Sequence, residues 1–216
     1  MDKAQITATK PGSPSKRTSH QKYISLTHAP CDQQANNSPT QGTKAPYYGS
    51  IAVAAFLGPY TPSTAPRITN LPFPSGNPYI AAYATYSPAA HNTLQRIMLI
   101  NLQEYNTTAG NNYTNDYPRP VERYTLQLPP AYAGKELGVQ RLTANGSDAV
   151  TGVTFDGWSF NYELDEGRPV RLGNVTVGEK VKVEGGGVVK LDVERSSAVI
   201  LNVGKGKAGH GGWGWE

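Results

Sequence analysis

The sequence predicts an all-β protein: a Greek-key-like antiparallel β-sandwich preceded by one short helix and a disordered N-terminal tail. Three observations predict this fold. There is a single helix-like segment, at residues 45–58; apolar and polar side chains alternate in many short segments after residue 78; and Gly-containing turns separate several of these segments. A period of two is typical of strands, and many short strands separated by turns indicate a sandwich. No long internal repeat is visible, which argues against a propeller.

Residues 1–44 are predicted to be a disordered basic tail. They are rich in Ser, Thr, Pro, Gln and Lys and have almost no apolar periodicity. Such a segment buries too little surface to offset the entropy lost on ordering. The tail holds the whole excess of basic side chains behind the formal charge of +4, because acids and bases balance from residue 45 onward. Nucleic-acid binding would require basic residues clustered on a folded face, so no nucleic-acid partner is predicted.

The helix and the linker that follows it form the predicted segment 45–66. Pro46 lies near the first turn, and the pair Gly58-Pro59 is a stop signal, since glycine favours a left-handed cap and proline cannot continue the helix. A helix that is apolar on most sides is expected to pack against neighbouring elements on more than one face. The apolar residues that nearly encircle this helix are Ile51, Val53, Ala54, Ala55, Phe56 and Leu57.

The β-sandwich is predicted to span residues 67–204 and to be followed by a Gly/Trp-rich tail at 205–216. In residues 121–128, Tyr124, Leu126 and Leu128 share one face, as in a sheet with one wet side. The predicted strands are 80–86, 95–102, 121–128, 137–143, 158–162, 175–183, 188–194 and 197–203. The turns with expected positive φ are Asn145-Gly146, Asp156-Gly157, Glu166-Gly167 and Gly185–Gly187.

Several of these stretches, taken in order, resemble the end of family-79 glycoside hydrolases, the β-glucuronidase and heparanase relatives, and fungal members most of all. The matching stretches are YYGSIAVAAFLG (47–58), YIAAYATYSP (79–88), QRIMLINLQEY (95–105), GVQRLTANGSDAVTGVTFDGWSF (138–160) and VVKLDVERSSAVILNV (188–203). The resemblance implies that the helix is a remnant of the last helix of a (β/α)8 barrel and that the strands form the C-terminal β-domain. The stretch NNSPTQGTK before the helix departs from the aromatic-rich sequence expected there.

The resemblance also implies that this chain carries neither catalytic glutamate, because both belong to barrel strands that precede the matched region. We therefore expect a non-catalytic accessory domain of a β-glucuronidase-like hydrolase, whose partner is a barrel domain missing from this chain. One alternative is a free-standing carbohydrate-binding module. Another is a small hydrolase using Glu163 with Asp165 or Glu166; if extended, Glu163 and Asp165 would lie about 7 Å apart on one strand face. An acidic turn is the simpler interpretation of that stretch.

Five N-glycosylation sequons occur, and acceptor asparagines belong to surface loops of secreted proteins. They favour secretory ancestry, which the resembled family shares, although a Ser/Thr/Asn-rich sequence also produces sequons by composition. The N-terminus lacks the apolar core of a signal peptide, so the compartment of this chain stays open. The acceptor residues are Asn36, Asn106, Asn112, Asn145 and Asn174.

Exposed aromatic rings could stack on sugars, and the candidates for this role are Tyr79 and Trp158. The stretch around Trp158 recurs in the β-domains of the resembled family, so core packing is the main interpretation of this residue. Trp213 and Trp215 lie in the glycine-rich tail. No cofactor and no metal are expected: GKGKAG at 204–209 lacks a following helix, and Cys31 and four scattered His supply too few ligands. No apolar run is long enough to span a membrane.

Overall fold

The computed structural model describes residues 5–8, 43, 45–73, 76–88, 91–108 and 117–204. The predicted helix is present as α1, which spans Ala45–Leu57, and a second helix, α2, is a single turn at Tyr162–Asp165. The strands are β1 Gln5–Ala8, β2 Arg67–Asn70, β3 Ile80–Ser87, β4 Thr93–Asn101, β5 Val121–Gln127, β6 Glu136–Thr143, β7 Thr154–Phe155, β8 Trp158–Ser159, β9 Val170–Arg171, β10 Glu179–Lys182, β11 Val188–Glu194 and β12 Ser197–Asn202.

These strands form two antiparallel sheets. The small sheet has the order β1-β5-β11, and the large sheet has the order β2-β3-β4-β12-β6-β7-β8-β9, with β10 also paired to β6. Strands β4 and β12 are neighbours although about a hundred residues separate them, because the intervening chain visits the small sheet through β5 and β11. The predicted all-β sandwich is therefore confirmed.

The main core lies between the two sheets. The small sheet contributes the alternate residues of β5 and the residues just after it, as the pattern at Tyr124, Leu126 and Leu128 predicts. Strand β11 contributes Val189, Leu191 and Val193 in the same way. The other faces of β5 and β11 carry polar side chains, including the cross-strand pair Arg123–Asp192. Such alternation fixes the register, since a slip of one residue would turn the apolar side chains toward water.

The central strands of the large sheet are buried on both faces, and α1 covers the outer one. Along β4, Ile97 and Leu99 belong to the core between the sheets, whereas Met98 packs with α1. Ile200 of β12 also packs on the α1 side. The protein thus has three layers: small sheet, large sheet and helix.

Some elements differ from the predicted ones. Strand β1 lies inside the predicted disordered tail, at residues 5–8, where its backbone pairs with β5, the central strand of the small sheet. Apart from these residues and Thr43, the tail lies outside the described part of the chain. Strand β2, at the start of the predicted sandwich, was missed because all four of its residues are exposed and no alternation results. The predicted strands 158–162 and 175–183 shrink to β8 and β10.

Most of the predicted turn positions are confirmed. Positive φ angles occur at both residues of Asp156-Gly157 and of Glu166-Gly167, and at Gly186 and Gly187. Gly146 is different, because it has no positive φ; a Cβ atom there would instead lie 2.7 Å from the carbonyl oxygen of Tyr105. That glycine is required by a close backbone approach.

Candidate interaction surface

Helix α1 is held on the large sheet by one apolar stripe. Tyr48, Ala52 and Phe56 are four residues apart, so they share one face, and all three are buried. Ala52 and Phe56 pack on Met98 of β4 and Ile200 of β12, together with Phe155 of β7. The spacing of these three residues was available in the sequence, but the prediction of a helix apolar on most sides did not single it out.

The hydroxyl of Tyr48 ties the start of α1 to the segment after β8. It donates a hydrogen bond to Oδ1 of Asn161 at 2.5 Å and accepts one from the backbone N–H of Phe160 at 2.8 Å. It also lies 3.1 Å from Oγ of Ser159. The hydroxyl of Thr43, just before the helix, donates to the carbonyl of Phe160. Buried polar groups require such partners, so this network fixes where the helix begins on the sheet.

The end of α1 is held by an arginine from β4. Gly58 follows the helix with φ of 70°, which confirms the predicted left-handed cap. Nη1 of Arg96 lies 3.5 Å from the carbonyl oxygen of Leu57, and its Nε donates to Oδ1 of Asn202 at 3.2 Å. Burial lowers the pKa of Arg96. A positively charged guanidinium at this position interacts favourably with the negative, C-terminal end of the helix dipole.

The opposite face of α1 is open to solvent. Tyr47 is 49% exposed and Val53 is 50% exposed, and Ala54 is exposed beside them. Ser50 lies in the same stripe, but its hydroxyl donates to the carbonyl of Pro46 at 3.0 Å. No residue of this 13-residue helix is charged. A helix facing water on one side normally carries charges there, so this face has the composition of a buried surface.

More exposed apolar side chains lie at the start of α1. The ring of Tyr47 packs edge-on against Phe160, with centroids 5.8 Å apart. Shortly after Phe160, Tyr162 and Leu164 on α2 are exposed as well. We use the term helical apolar face for five exposed apolar residues of the two helices: Tyr47, Val53, Ala54, Tyr162 and Leu164.

The acidic residues near α2 lie on an exposed turn of the chain. Glu163, Asp165 and Glu166 are all exposed. The predicted alternative placed the first two on one face of a strand, but the backbone is helical there, and residues two apart on a helix do not face each other. Asp165 instead lies 3.8 Å from Nη1 of Arg168. The described geometry matches the acidic turn.

A groove of about 740 Å³ opens at the edge between the two sheets. Arg141 of β6 binds Glu179 of β10 through two hydrogen bonds of 2.6 and 2.7 Å, and it donates to the backbone of Asp192. The hydrogen bond with Glu179 raises the pKa of Arg141, against the opposing effect of burial. Arg119 donates to the carbonyls of Ala144, Arg195 and Ser196 and pairs with Glu194 at 2.9 Å. Both guanidinium groups are thus occupied by the protein itself.

The structure does not bring the two predicted sugar-stacking residues together. Tyr79 precedes β3 and is 38% exposed, whereas Trp158 lies on β8 and is 37% exposed. Five strand spacings separate β3 from β8 in the large sheet, or about 24 Å. The interpretation of Trp158 as a core residue is wrong, since its ring lies at the surface, where the guanidinium of Arg171 covers it at 5.8 Å. Trp213 and Trp215 lie outside the described residues.

The predicted glycosylation residues have different environments. Asn145 and Asn174 are exposed and lie on the rim of the groove. Asn106 is half-buried, and its amide donates to Oε1 of Glu104 at 2.5 Å. Asn36 and Asn112 lie outside the described residues.

No helix in the described part of the chain has the length and apolar character needed to cross a membrane. Nor do His, Cys, Asp and Glu side chains gather anywhere in this part of the chain in a group of three or more that could hold a metal ion. The described features define a β-sandwich domain with α1 packed on its large sheet and the uncharged outer face of α1 left open.

Comparison with known proteins identifies the family of this domain. Residues 82–200 match the family model described as the glycosyl hydrolase family 79 C-terminal beta domain. The chain is 48% identical over 171 residues to a β-glucuronidase from Aspergillus niger, covering 77% of this chain and 30% of the relative. A β-glucuronidase from Neurospora crassa is 45% identical over 195 residues, with 77% and 34% covered. The chain belongs to glycosyl hydrolase family 79 and spans about a third of the length of these relatives.

A solved structure shows the same fold. The crystal structure of a 4-O-α-L-rhamnosyl-β-D-glucuronidase from Fusarium oxysporum 12S, in complex with Rha-GlcA, superposes with a TM-score of 0.53 at 23% identity. The match covers 73% of this chain and 29% of that one. The predicted resemblance to family-79 enzymes of fungal type is thereby confirmed.

Proposed function

We propose that this chain is the non-catalytic accessory β-domain of a β-glucuronidase-like glycoside hydrolase and that it packs against the catalytic barrel through the helical apolar face. The observation that carries the proposal is the uncharged helix α1, which buries one stripe on the large sheet and leaves Tyr47, Val53 and Ala54 open. An exposed apolar patch of this kind marks an interaction site. The hydrolysis of glucuronides is then the activity of the whole enzyme.

The chemistry of the described residues supports the same proposal. Glycoside hydrolysis requires two carboxyl groups at a fixed separation across one sugar. Glu163 and Asp165 lie on a single exposed helical turn, and Glu179 is engaged by Arg141. Within the domain boundaries we propose, residues 45–66 supply the contact with the barrel and residues 67–204 supply the rigid support behind it.

The proposal is tested by supplying the barrel in trans. The chain is co-expressed with the Aspergillus niger relative truncated before its own β-domain, and co-purification and hydrolysis of an aryl β-glucuronide are measured. We expect activity only when both pieces are present. Ala54→Arg places a charge in the helical apolar face and should reduce co-purification at least about tenfold, since an unpaired charge at a buried interface costs several kcal/mol.

The matched control is Val150→Arg, at an exposed residue in the loop after β6, which should leave co-purification unchanged. Hydrolysis of the glucuronide by this chain alone, with contaminating enzyme excluded, would overturn the proposal. Equal co-purification of the Ala54→Arg and Val150→Arg variants would show that the helical apolar face is not the contact.

A free-standing carbohydrate-binding module is the second candidate, and the exposed rings of Tyr79 and Trp158 favour it. Their separation means that each ring would have to bind sugar alone. Titration of the chain with a glucuronide and with an acidic polysaccharide, followed by tryptophan fluorescence, tests this candidate. A saturable change that Trp158→Ala removes would support it, and an absence of change would end it.

A further inference from the structure

The rim of the groove carries two of the sequon asparagines. Asn174 lies in the loop between β9 and β10, and Asn145 lies in the loop after β6. Both side chains are exposed. Asn106 differs, because its amide is bound to Glu104 and its side chain is half-buried.

We propose that Asn145 and Asn174 carry N-linked glycans when this chain passes through a secretory pathway. The donor is an oligosaccharide joined to a lipid through pyrophosphate. The Nδ2 atom of each asparagine forms a bond with C1 of the first sugar, the bond between C1 and the phosphate oxygen breaks, and the lipid pyrophosphate leaves. The amide loses one proton, which the transferase takes up.

The acceptor asparagine of each sequon is open to solvent. Thr176, the hydroxyl residue of the Asn174 sequon, is exposed, and no heavy atom lies within 4 Å of a Cβ atom built at the flanking glycines 173 and 178. In the other sequon, Asn145 and Ser147 are both exposed, although the backbone of Gly146 packs on the carbonyl of Tyr105 and the hydroxyl of Ser147 accepts a hydrogen bond from the N–H of Tyr105 at 3.1 Å. A sugar on either exposed amide can therefore project into solvent.

The two glycans would lie on the side of the large sheet away from α1. Arg141 and Thr143 of β6 line the groove, whereas Leu142 between them packs with the helix side. Successive side chains of a strand point to opposite faces, so the groove and α1 lie on opposite faces of β6. The glycans leave the helical apolar face free, and the inference does not depend on the proposed function.

The test uses the full chain behind a secretion leader in yeast. Secreted protein is treated with peptide N-glycosidase in H₂¹⁸O, which converts each glycosylated asparagine to ¹⁸O-labelled aspartate. Trypsin separates the two positions, since Arg171 lies between them and Lys180 follows the second. We expect the label at both Asn145 and Asn174. A secreted chain that is unlabelled at either position would overturn the two-glycan proposal.

Matched variants give an independent readout on gels. Asn145→Gln and Asn174→Gln should each lose one mobility step that the glycosidase also removes. Thr176→Ala should lose the same step as Asn174→Gln, whereas Thr176→Ser keeps a sequon and should retain it. Loss of the step in Thr176→Ser and Thr176→Ala alike, or in neither, would contradict the assignment of that step to Asn174. The labelling of the unmutated chain decides the proposal if a variant is not secreted.

Discussion

Among single residues, Tyr48 positions α1 through the hydrogen bonds of its hydroxyl. Replacing it with Phe keeps the ring against Phe160 but leaves the N–H of Phe160 and Oδ1 of Asn161 without this partner. A buried polar group left unsatisfied costs about 1–3 kcal/mol. We therefore expect Tyr48→Phe to lower the free energy of unfolding by that amount, measured by urea denaturation.

The control is the neighbouring Tyr47→Phe. This ring is half-exposed, so its hydroxyl can be replaced with little loss, and we expect a change below about 0.5 kcal/mol. If the two variants unfolded at the same urea concentration, the hydrogen-bond network around Tyr48 would not stabilise the domain.

Residue-scale predictions from the sequence succeed where the cause is local. The positive φ at Gly157 and at Gly167 follows from residue type, because glycine adopts such angles without steric cost. The surface position of Trp158 does not follow from residue type. It depends on β8 being only two residues long and on the position of Arg171 on β9, beside the ring. The partners of Arg119 and Arg141 are likewise distant in sequence, and no local pattern indicates them.

At the scale of elements, strands with one buried face are predictable and short edge strands are not. Strands β5 and β11 alternate cleanly and were placed within a residue of their ends. Strands β1, β7 and β9 have two to four residues, too few to show a period. They exist because a neighbouring strand offers free backbone groups, which is a tertiary effect. The burial of β4 and β12 on both faces also depends on the packing of α1. The apolar residues of the helix did indicate that it packs against neighbouring elements.

Asp148 joins the loop after β4 to the loop after β6, and this junction should be sensitive to acid. Its carboxylate accepts hydrogen bonds from the backbone N–H and the hydroxyl of both Thr107 and Thr108, at 2.5–3.0 Å. Burial opposes ionisation, but these four bonds outweigh it and hold the pKa of Asp148 well below its usual range. A lowered folded pKa means that the contribution is complete above about pH 4 and is lost as the pH falls further.

We therefore expect Asp148→Asn to lower the free energy of unfolding by about 1 kcal/mol at pH 7, a figure that allows for solvent screening. The difference from the unmutated domain should shrink steadily below pH 4. Thermal unfolding from pH 7 down to pH 2 measures it. Asp165→Asn is the control, since Asp165 is exposed and makes only a long ion pair. A difference for Asp148→Asn that is the same at pH 2 and pH 7 would refute the assignment.

At the scale of the whole molecule, the domain has one well-covered side and one uncovered side. The sandwich core and the polar outer faces of β5 and β11 are those of a self-sufficient β-domain. The uncharged helix on the far side of the large sheet is not typical of a self-sufficient domain, because its outer face is open to solvent. The proposed contact of the helix with a catalytic barrel accounts for this difference, and the β-glucuronidases related to this chain are about three times as long as the matched segment. The sequence predicted both sides, through alternation in the strands and through the apolar residues that nearly encircle the helix.

The helical apolar face should also make the isolated chain self-associate, since exposed apolar patches favour association. Sedimentation velocity across a range of concentrations should show dimers or larger species that increase with concentration. Val53→Asp puts a charge in the centre of the face, with little change to the sheet beneath, and should shift the distribution to monomer. Val150→Asp is the control, because Val150 is 84% exposed but lies in a loop outside this face, so association should persist. The prediction fails if the unmutated chain is monomeric at every concentration. It also fails if Val53→Asp and Val150→Asp reduce self-association equally, because the helical apolar face would then not be the contact.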